Sequence, residues 1–337
     1  MTAPAGPWIE VAAAVIERPD GEFLLAQRPE GKVYAGWWEF PGGKIEAGED
    51  GRSALARELH EELGIELTEA WPWITRTHVY EHGRVRLHFF RVTGWHGEPV
   101  GRERQRFEWQ RLPALTVGPV LPANGPILKA LGLPLVMGVT QASRVGPAAF
   151  LRQFDAALGR GLRLVQLREH DMDRDTLQAF GTDVVTRAHR QGATVVLNGP
   201  VSLAASIGAD GVHLPAGILR ETGRRPAVEW VGASCHRAAE IERACDLELD
   251  YVVIGPVAAT PTHPGRPGIG WDGFRQLADG LPMPAYAIGG MALADLGQAR
   301  VSGAHGVAAI RSAWAETATY SASGGVSDSS PASTGIR

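Results

Sequence analysis

Cysteine is nearly absent: Cys235 and Cys245 are the only two in 337 residues. They lie in apolar or helical surroundings without metal-ligand spacing, which excludes a disulfide-stapled scaffold and points to free thiols in a reducing cytoplasm. Long apolar runs are missing as well. No stretch approaches the roughly 18 residues of a membrane span, and the opening MTAPAGPWIEVAAAVIERPDG lacks a basic region and carries Glu10 within its apolar part. Neither a membrane helix nor a secretory leader is expected. Nor is there a surplus of basic charge: the formal net charge is −4, with lysines and arginines scattered. That excludes a nucleic-acid polymer as partner and leaves free nucleotides open. The length of 337 residues exceeds one ordinary domain and predicts two.

Against these absences stands one dense motif. The pattern G-x5-E-x7-R-E-U-x-E-E-x-G-U, with U a bulky aliphatic, is met at Gly43, Glu49, Arg57, Glu58, Leu59, Glu61, Glu62, Gly64 and Ile65. Residues 51–63 have helical composition, with Ser53 or Asp50 available as N-cap and Gly64 placed to end the helix in a left-handed turn. Glu58, Glu61 and Glu62, spaced i, i+3, i+4, share one face, while Leu55, Leu59 and Leu63 line another and can face a core. Carboxylates crowded in this way repel unless a cation sits among them. Oxygen-only donors suit Mg²⁺, with Mn²⁺ as a substitute, and such ions also hold phosphates. The chemistry that needs this set is pyrophosphate hydrolysis. A solvated acidic helix face is the bland alternative, and the full spacing of the motif weighs against it.

Around the motif, Trp8–Ile16 and Glu22–Gln27 read as strands about a Pro19-Asp20-Gly21 turn, and Trp73–Tyr80 and Val85–Trp95 as strands about His82-Gly83. A mixed sheet carrying the acidic helix follows, then a short helix opening at Leu121-Pro122-Ala123-Asn124 and ending near Gly132. Beyond it, the apolar runs LVMGVT, LRLVQLR, TVVLNG, GVHLP, WVGAS, YVVIGPV, PAYAIGG and GVAAIR alternate with helical segments such as Ala148–Leu158 and Thr176–His189. That order predicts a (β/α)8 barrel of parallel strands buried on both faces. After Trp314 the Ser, Gly and Thr content predicts a disordered tail and a short or absent eighth helix. The expected α/β architecture is therefore a first domain over 1–132, a barrel over 133–314 and a tail over 315–337.

The motif is the Nudix box, and residues about 8 to 131 resemble the MutT-type Nudix hydrolases, which convert 8-oxo-dGTP to the monophosphate and pyrophosphate and so guard DNA replication. The likeness extends to Trp38-Glu39-Phe40-Pro41-Gly42-Gly43-Lys44-Ile45-Glu46, Gly97-Glu98-Pro99, Gly101-Arg102-Glu103 and Pro122-Ala123-Asn124. It implies an α/β/α sandwich with a mixed sheet, a nucleoside triphosphate substrate and magnesium. By matching position, Glu58, Glu61 and Glu62 become metal ligands, Glu103 a further ligand or base, Gly42 a backbone ligand and Arg57 the group that orients the carboxylates. Arg28, Phe40, Arg84 and Asn124 fall around the base. An amide presents a donor beside an acceptor, which matches 8-oxoguanine but leaves ordinary guanine with acceptor against acceptor, a mismatch of about 1–3 kcal/mol. Asn124 could otherwise cap the helix beginning at Gly125 or Pro126, Arg28 and Arg84 could be surface charge, and Phe40 could fill the sheet face.

Residues about 133 to 314 resemble the thiamin phosphate synthase family, which includes the TenI-type thiazole tautomerases. Gln166-Leu167-Arg168-Glu169, Gly232-Ala233-Ser234-Cys235-His236, Gly255-Pro256-Val257 and Ile288-Gly289-Gly290-Met291 carry the likeness. It implies a TIM barrel, a link to thiamine biosynthesis and a phosphate cradle at Gly289, Gly290 and Arg311-Ser312. The sequence departs from the synthase pattern at Asn198-Gly199 and at His213-Leu214-Pro215-Ala216-Gly217, where synthases carry magnesium carboxylates, and at His170 and His263, where they carry lysines. Without those clamps a leaving pyrophosphate is poorly stabilised. The departures resemble TenI instead, with His236 moving a proton on a thiazole phosphate. Four alternatives stay open: His236 as a helix cap with the barrel a degenerate scaffold, a non-catalytic binding barrel that senses a thiamin intermediate and regulates the Nudix half, a thiamin-related pyrophosphate as Nudix substrate, and self-association through the barrel.

Overall fold

The computed structural model describes residues 6–81, 83–102, 106–259 and 267–320. Its first half contains β1 (Trp8–Ile16), β2 (Phe23–Gln27), β3 (Trp38–Glu39), β4 (Gly42–Lys44), α1 (Gly51–Leu63), β5 (Glu66–Tyr80), β6 (Gly83–His96), β7 (Phe107–Gln110) and α2 (Gly125–Leu131). One sheet runs β4-β1-β6-β5, with β1 parallel to β6 and the other pairs antiparallel; a second runs β3-β2-β7. Alternation along β1 divides the core. Ala12, Ala14 and Ile16 meet Leu55, Leu59 and Leu63 of α1, whereas Ala13 and Val15 share the opposite face with Phe89 and with Ile127 and Ala130 of α2. The result is the expected sandwich. The strand expected to open at Trp73 opens at Glu66, and register shifts between Leu67 and Ala70 and between Pro72 and Ile74 let it carry Pro72 on the sheet edge. His82, in the expected turn, lies outside the described residues.

The second half closes as a barrel of eight parallel strands: β8 (Val136–Val139), β9 (Leu164–Leu167), β10 (Thr194–Asn198), β11 (Gly211–Leu214), β12 (Trp230–Cys235), β13 (Tyr251–Ile254), β14 (Ala285–Ile288) and β15 (Gly306–Ala309), which pairs back to β8. Each falls within one of the apolar runs, except that β12 runs one residue past WVGAS to Cys235. Outside the strands lie α3 (Ala142–Val145), α4 (Pro147–Gly159), α5 (Arg174–Arg190), α6 (Val201–Ile207), α7 (Ala216–Glu221), α8 (Ala238–Asp246), α9 (Gly270–Ala278) and α10 (Leu296–Val301). Among the described residues only the turn Ser312–Trp314 follows β15. Trp314 fills the space there, packing edge-on against Phe150 at 4.9 Å and donating its indole N–H to the Val139 carbonyl at 3.0 Å.

The tail needs correction. Residues 315–320, assigned by composition to disorder, pack beside α4: the Arg160 guanidinium donates to the carbonyls of Ala315 and Ala318, both at 2.9 Å, and the Tyr320 hydroxyl donates to the Ala313 carbonyl. A chain held through its own carbonyls needs no hydrophobic periodicity, so composition could not reveal it. Residues 321–337 lie outside the described residues.

The first half sits on the end of the barrel where the strands begin. Thr75 N donates to the Leu281 carbonyl and Arg76 Nη1 to the Pro282 carbonyl, both at 2.9 Å, ahead of β14. Trp73 stacks on His305, ahead of β15, with centroids 5.7 Å apart. Ahead of β13, Asp250 receives Lys129 Nζ at 2.6 Å. No helix of the described residues is long and apolar enough to cross a membrane.

Candidate functional site

The acidic helix is fixed at both ends. Asp50 caps it by accepting from Ser53 N at 2.8 Å, and Gly64 ends it at φ 69°. On its outer face Arg57 gathers the carboxylates. Arg57 Nε and Nη2 grip Glu49 in a two-pronged pair at 2.9 and 3.0 Å, while Nη1 reaches Glu58 at 2.9 Å and Glu61 at 3.3 Å. These hydrogen bonds, to Glu49 first and Glu58 second, raise the Arg57 pKa, and the bond from Arg57 lowers that of Glu49. Glu49 belongs to the box but its clamping role was not read from the sequence, because spacing alone does not show which carboxylate the guanidinium selects.

Glycine lets this face approach the loop before it. A Cβ on Gly43 would lie 2.1 Å from the carboxyl carbon of Glu58. Gly42, at φ 138°, donates its N–H to Glu62 Oε2 at 3.1 Å. Glu62 is only 8% exposed, whereas the Glu61 side chain is 53% exposed. Among the described residues no group of three or more His, Cys, Asp or Glu side chains converges closely enough to hold a metal ion. Glu58 is drawn to Arg57 and Glu62 to the Gly42 amide. The carboxylate oxygens of this face are donors of the kind a hard divalent cation takes. Glu103, a further candidate ligand, lies outside the described residues.

The residues expected around a base divide. Asn124 is 4% exposed at the start of α2 and makes no side-chain bond to that helix, so the capping alternative is not what its amide does. Arg28 Nη1 holds both carboxylate oxygens of Glu39 at 2.6 and 2.7 Å, and Nε holds the Val33 carbonyl. Burial raises the Glu39 pKa against the lowering effect of Arg28. Beside that pair lie Tyr34, held at φ 61°, and Tyr80, with ring centroids 5.6 Å apart. Phe40, 3% exposed, packs on Phe23 and Phe89, centroids 6.0 and 5.9 Å away, in the sheet-face position that was the alternative to stacking on a base. Arg84 lies elsewhere, over Trp8 at 4.7 Å and bonded to the Gly6 carbonyl.

At the barrel's other end, where the strands finish, a cavity of about 680 Å³ opens. Arg144, Arg168 and Arg311 line it, with no carboxylate among the described lining residues. Burial lowers the pKa of Arg168, and burial with Arg168 nearby lowers that of His170. Both effects favour the neutral imidazole of His170 over the imidazolium. His263 lies outside the described residues. His236 Nδ1 donates to the Gly255 carbonyl at 2.5 Å. A carbonyl only accepts, so Nδ1 carries a proton and Nε2 is the ring nitrogen left free to exchange one. The side chain does not cap α8, whose preceding turn is instead held by Glu240 on His236 N at 2.7 Å.

Gly289 and Gly290 stand at φ 100° and 74°, and a Cβ on Gly289 would meet Pro256 at 2.5 Å, so the backbone itself forms that wall. Ser312 Oγ donates to the Met291 carbonyl at 2.8 Å, tying the two expected cradle segments together. The sequence reading named Asn198 beside Gly199 but gave its side chain no role. Its amide N–H binds Gln166 Oε1 at 3.1 Å, and its buried Oδ1 has no partner, which leaves one acceptor in the cavity wall.

The chain is similar to known proteins in two separate stretches. A family model described as thiamine monophosphate synthase matches residues 136–313, and one described as the NUDIX domain matches residues 12–130. Thiamine-phosphate synthase of Thermus thermophilus is 39% identical over 165 residues, 48% of this chain and 80% of that protein. CTP pyrophosphohydrolase of Escherichia coli is 45% identical over 123 residues, 36% of this chain and 90% of that protein. Over the same share of each, 8-oxo-dGTP diphosphatase of Haemophilus influenzae is 41% identical.

Proposed function

Because the chain belongs to the Nudix family over residues 12–130 and to the thiamine monophosphate synthase family over residues 136–313, we propose a two-site enzyme: a magnesium-dependent 8-oxo-dGTP pyrophosphohydrolase joined to a barrel that binds a thiazole phosphate and tautomerises it. That the first half is a Nudix pyrophosphohydrolase of nucleoside triphosphates follows from the family. The base, the metal ligands and the barrel's activity are our reading.

The observation that carries the first half is the carboxylate face stitched by Arg57 against Gly42 and Gly43. Glu58, Glu61 and Glu62 would hold Mg²⁺ with the Gly42 carbonyl, and the ion would neutralise the triphosphate there. Arg57 keeps Glu58 and Glu61 on one side of the helix while its grip on Glu49 stops it from swinging away. Water adds to a phosphorus, the bridging P–O bond breaks toward pyrophosphate, and a carboxylate of this face takes the water's proton. Asn124 reads the base with a buried amide that no helix cap engages. The name of the Escherichia coli relative favours a second reading, a cytosine nucleotide as substrate. Comparing kcat/KM for 8-oxo-dGTP, dGTP and CTP in wild type and Asn124→Ala separates them. On our reading the variant loses preference for 8-oxo-dGTP over dGTP, by about 5-fold to 100-fold, while dGTP turnover stays close to wild type. A wild-type preference in the variant, or CTP as the best substrate, would overturn it.

In the barrel, three arginines and no acid line the cavity among the described residues. That set takes an anion directly and offers nothing to hold a magnesium pyrophosphate. His236, its ring oriented by the Nδ1 bond to Gly255, takes a proton through Nε2 from one ring position and returns it at another.

A further inference from the structure

We propose that the barrel sets the base preference of the hydrolase half, by holding in place the helix that Asn124 opens and the strand its turn rests on, with Lys129 as the positioning residue. This rests on Asn124 as the reader of the base. Asn124 stands at the start of α2, which has seven residues, too few to be stable alone. Its far end is fastened outside its own domain. Lys129 Nζ donates to Asp250 Oδ1 at 2.6 Å and to the Glu229 carbonyl at 2.9 Å, and lies 4.7 Å over the Trp230 ring.

Asp250 is no loose surface charge. Its side chain is 10% exposed, and its other oxygen is taken by Arg225 at 2.8 Å and Val231 N at 2.7 Å. The anchor is thus part of the barrel's frame, and Lys129, which holds it, lies about 7.5 Å along the helix axis from Asn124. The second support is also the barrel's. The turn Pro122–Asn124 rests on β5, and β5 is bonded to Leu281 and Pro282. Reading the edge of a base depends on placement, and a misplacement of about 1 Å can cost up to a hundredfold. Loss of the lysine would let α2 tilt without touching the acidic helix.

The test uses the full chain with magnesium, measuring kcat and KM for 8-oxo-dGTP and dGTP in Lys129→Met, Lys129→Arg, Asp250→Asn and Asn124→Ala, with a melting curve for each. We expect Lys129→Met and Asp250→Asn to lower the preference for 8-oxo-dGTP about 3-fold to 10-fold through a raised KM. Turnover of dGTP and the melting temperature of Lys129→Met stay near wild type, and Lys129→Arg keeps the preference. If both anchor variants keep the wild-type preference while Asn124→Ala loses it, the barrel does not position the reader and the proposal falls alone. If Asn124→Ala keeps it too, the reading of Asn124 falls and takes the proposal with it.

Discussion

The two sites carry opposite charge. In the first half, three glutamates crowd one helix face and one arginine binds two of them together with Glu49; in the barrel, three arginines face a cavity that no described acid enters. Both would take phosphates, by opposite means. An acidic face must recruit a cation before it can meet a polyphosphate, whereas a guanidinium-lined pocket meets an anion directly. The acidic face also lies along a helix flank beside a glycine loop, and the cationic pocket is sunk into the closed barrel's mouth. The hydrolase half covers the barrel's opposite end, through Thr75, Arg76 and Lys129. A product of one site therefore reaches the other through solvent.

The difference is broken most sharply by removing charge from the acidic face. Glu61→Gln and Glu62→Gln should each lower kcat/KM at limiting Mg²⁺ by at least about a hundredfold, roughly 3 kcal/mol of barrier. The melting curve should hardly move. Near-wild-type turnover in both would remove the metal-dependent mechanism. The barrel should respond to neither change, since both altered side chains lie on the acidic helix of the other half.

Next in size is the barrel's own test. The isolated activity to measure in the full chain is proton movement on a thiazole phosphate, followed by solvent hydrogen exchange into the ring. His236→Asn should lower it by about 10²- to 10⁴-fold and leave phosphate binding unchanged, because the amide cannot cycle a proton. Magnesium-dependent formation of thiamin phosphate from its two halves should be absent in wild type. Robust synthesis would refute the assignment, and failure to bind any thiazole phosphate in calorimetry would leave the barrel a scaffold.

What could be read in the sequence was what lies close along the chain. The acidic helix runs over Gly51–Leu63 as expected, since cap, face and stop signal all sit inside one short window. The eight barrel strands were legible because each is a separate apolar run. The side Phe40 faces was not: the residue directly follows the two-residue strand Trp38–Glu39, too short for alternation to tell which way is inward. Pairings across longer separations were equally hidden. Arg57 with Glu49, Arg28 with Glu39 and Lys129 with Asp250 each join residues that no periodicity links. The last of these crosses from one half to the other, so it depends on a fold that must already exist.

The smallest expected effect compares a like device in each half. Asp50 caps α1 through Ser53, and Asp173 caps α5 by accepting from Asp175 N at 3.1 Å and Thr176 N at 3.0 Å. In both the hydrogen bonds to the carboxylate lower its pKa, led by the Ser53 backbone bond for Asp50 and the Thr176 side-chain bond for Asp173. The sign follows from that direction. A carboxyl with a lower pKa folded than unfolded contributes its full stabilisation above the unfolded value, and loses it as pH falls through the folded one. Asp50→Ala and Asp173→Ala should each lower the melting temperature slightly at pH 7, with the gap to wild type closing below the ordinary carboxylate range. They should part company in activity. Asp50 adjoins Glu49, the residue that clamps Arg57, so its loss should raise KM for the nucleotide severalfold; loss of the Asp173 cap, far from the acidic face, should leave that KM alone. Equal kinetic effects from the two variants would mean that the acidic face senses global stability and not the anchoring of its own helix.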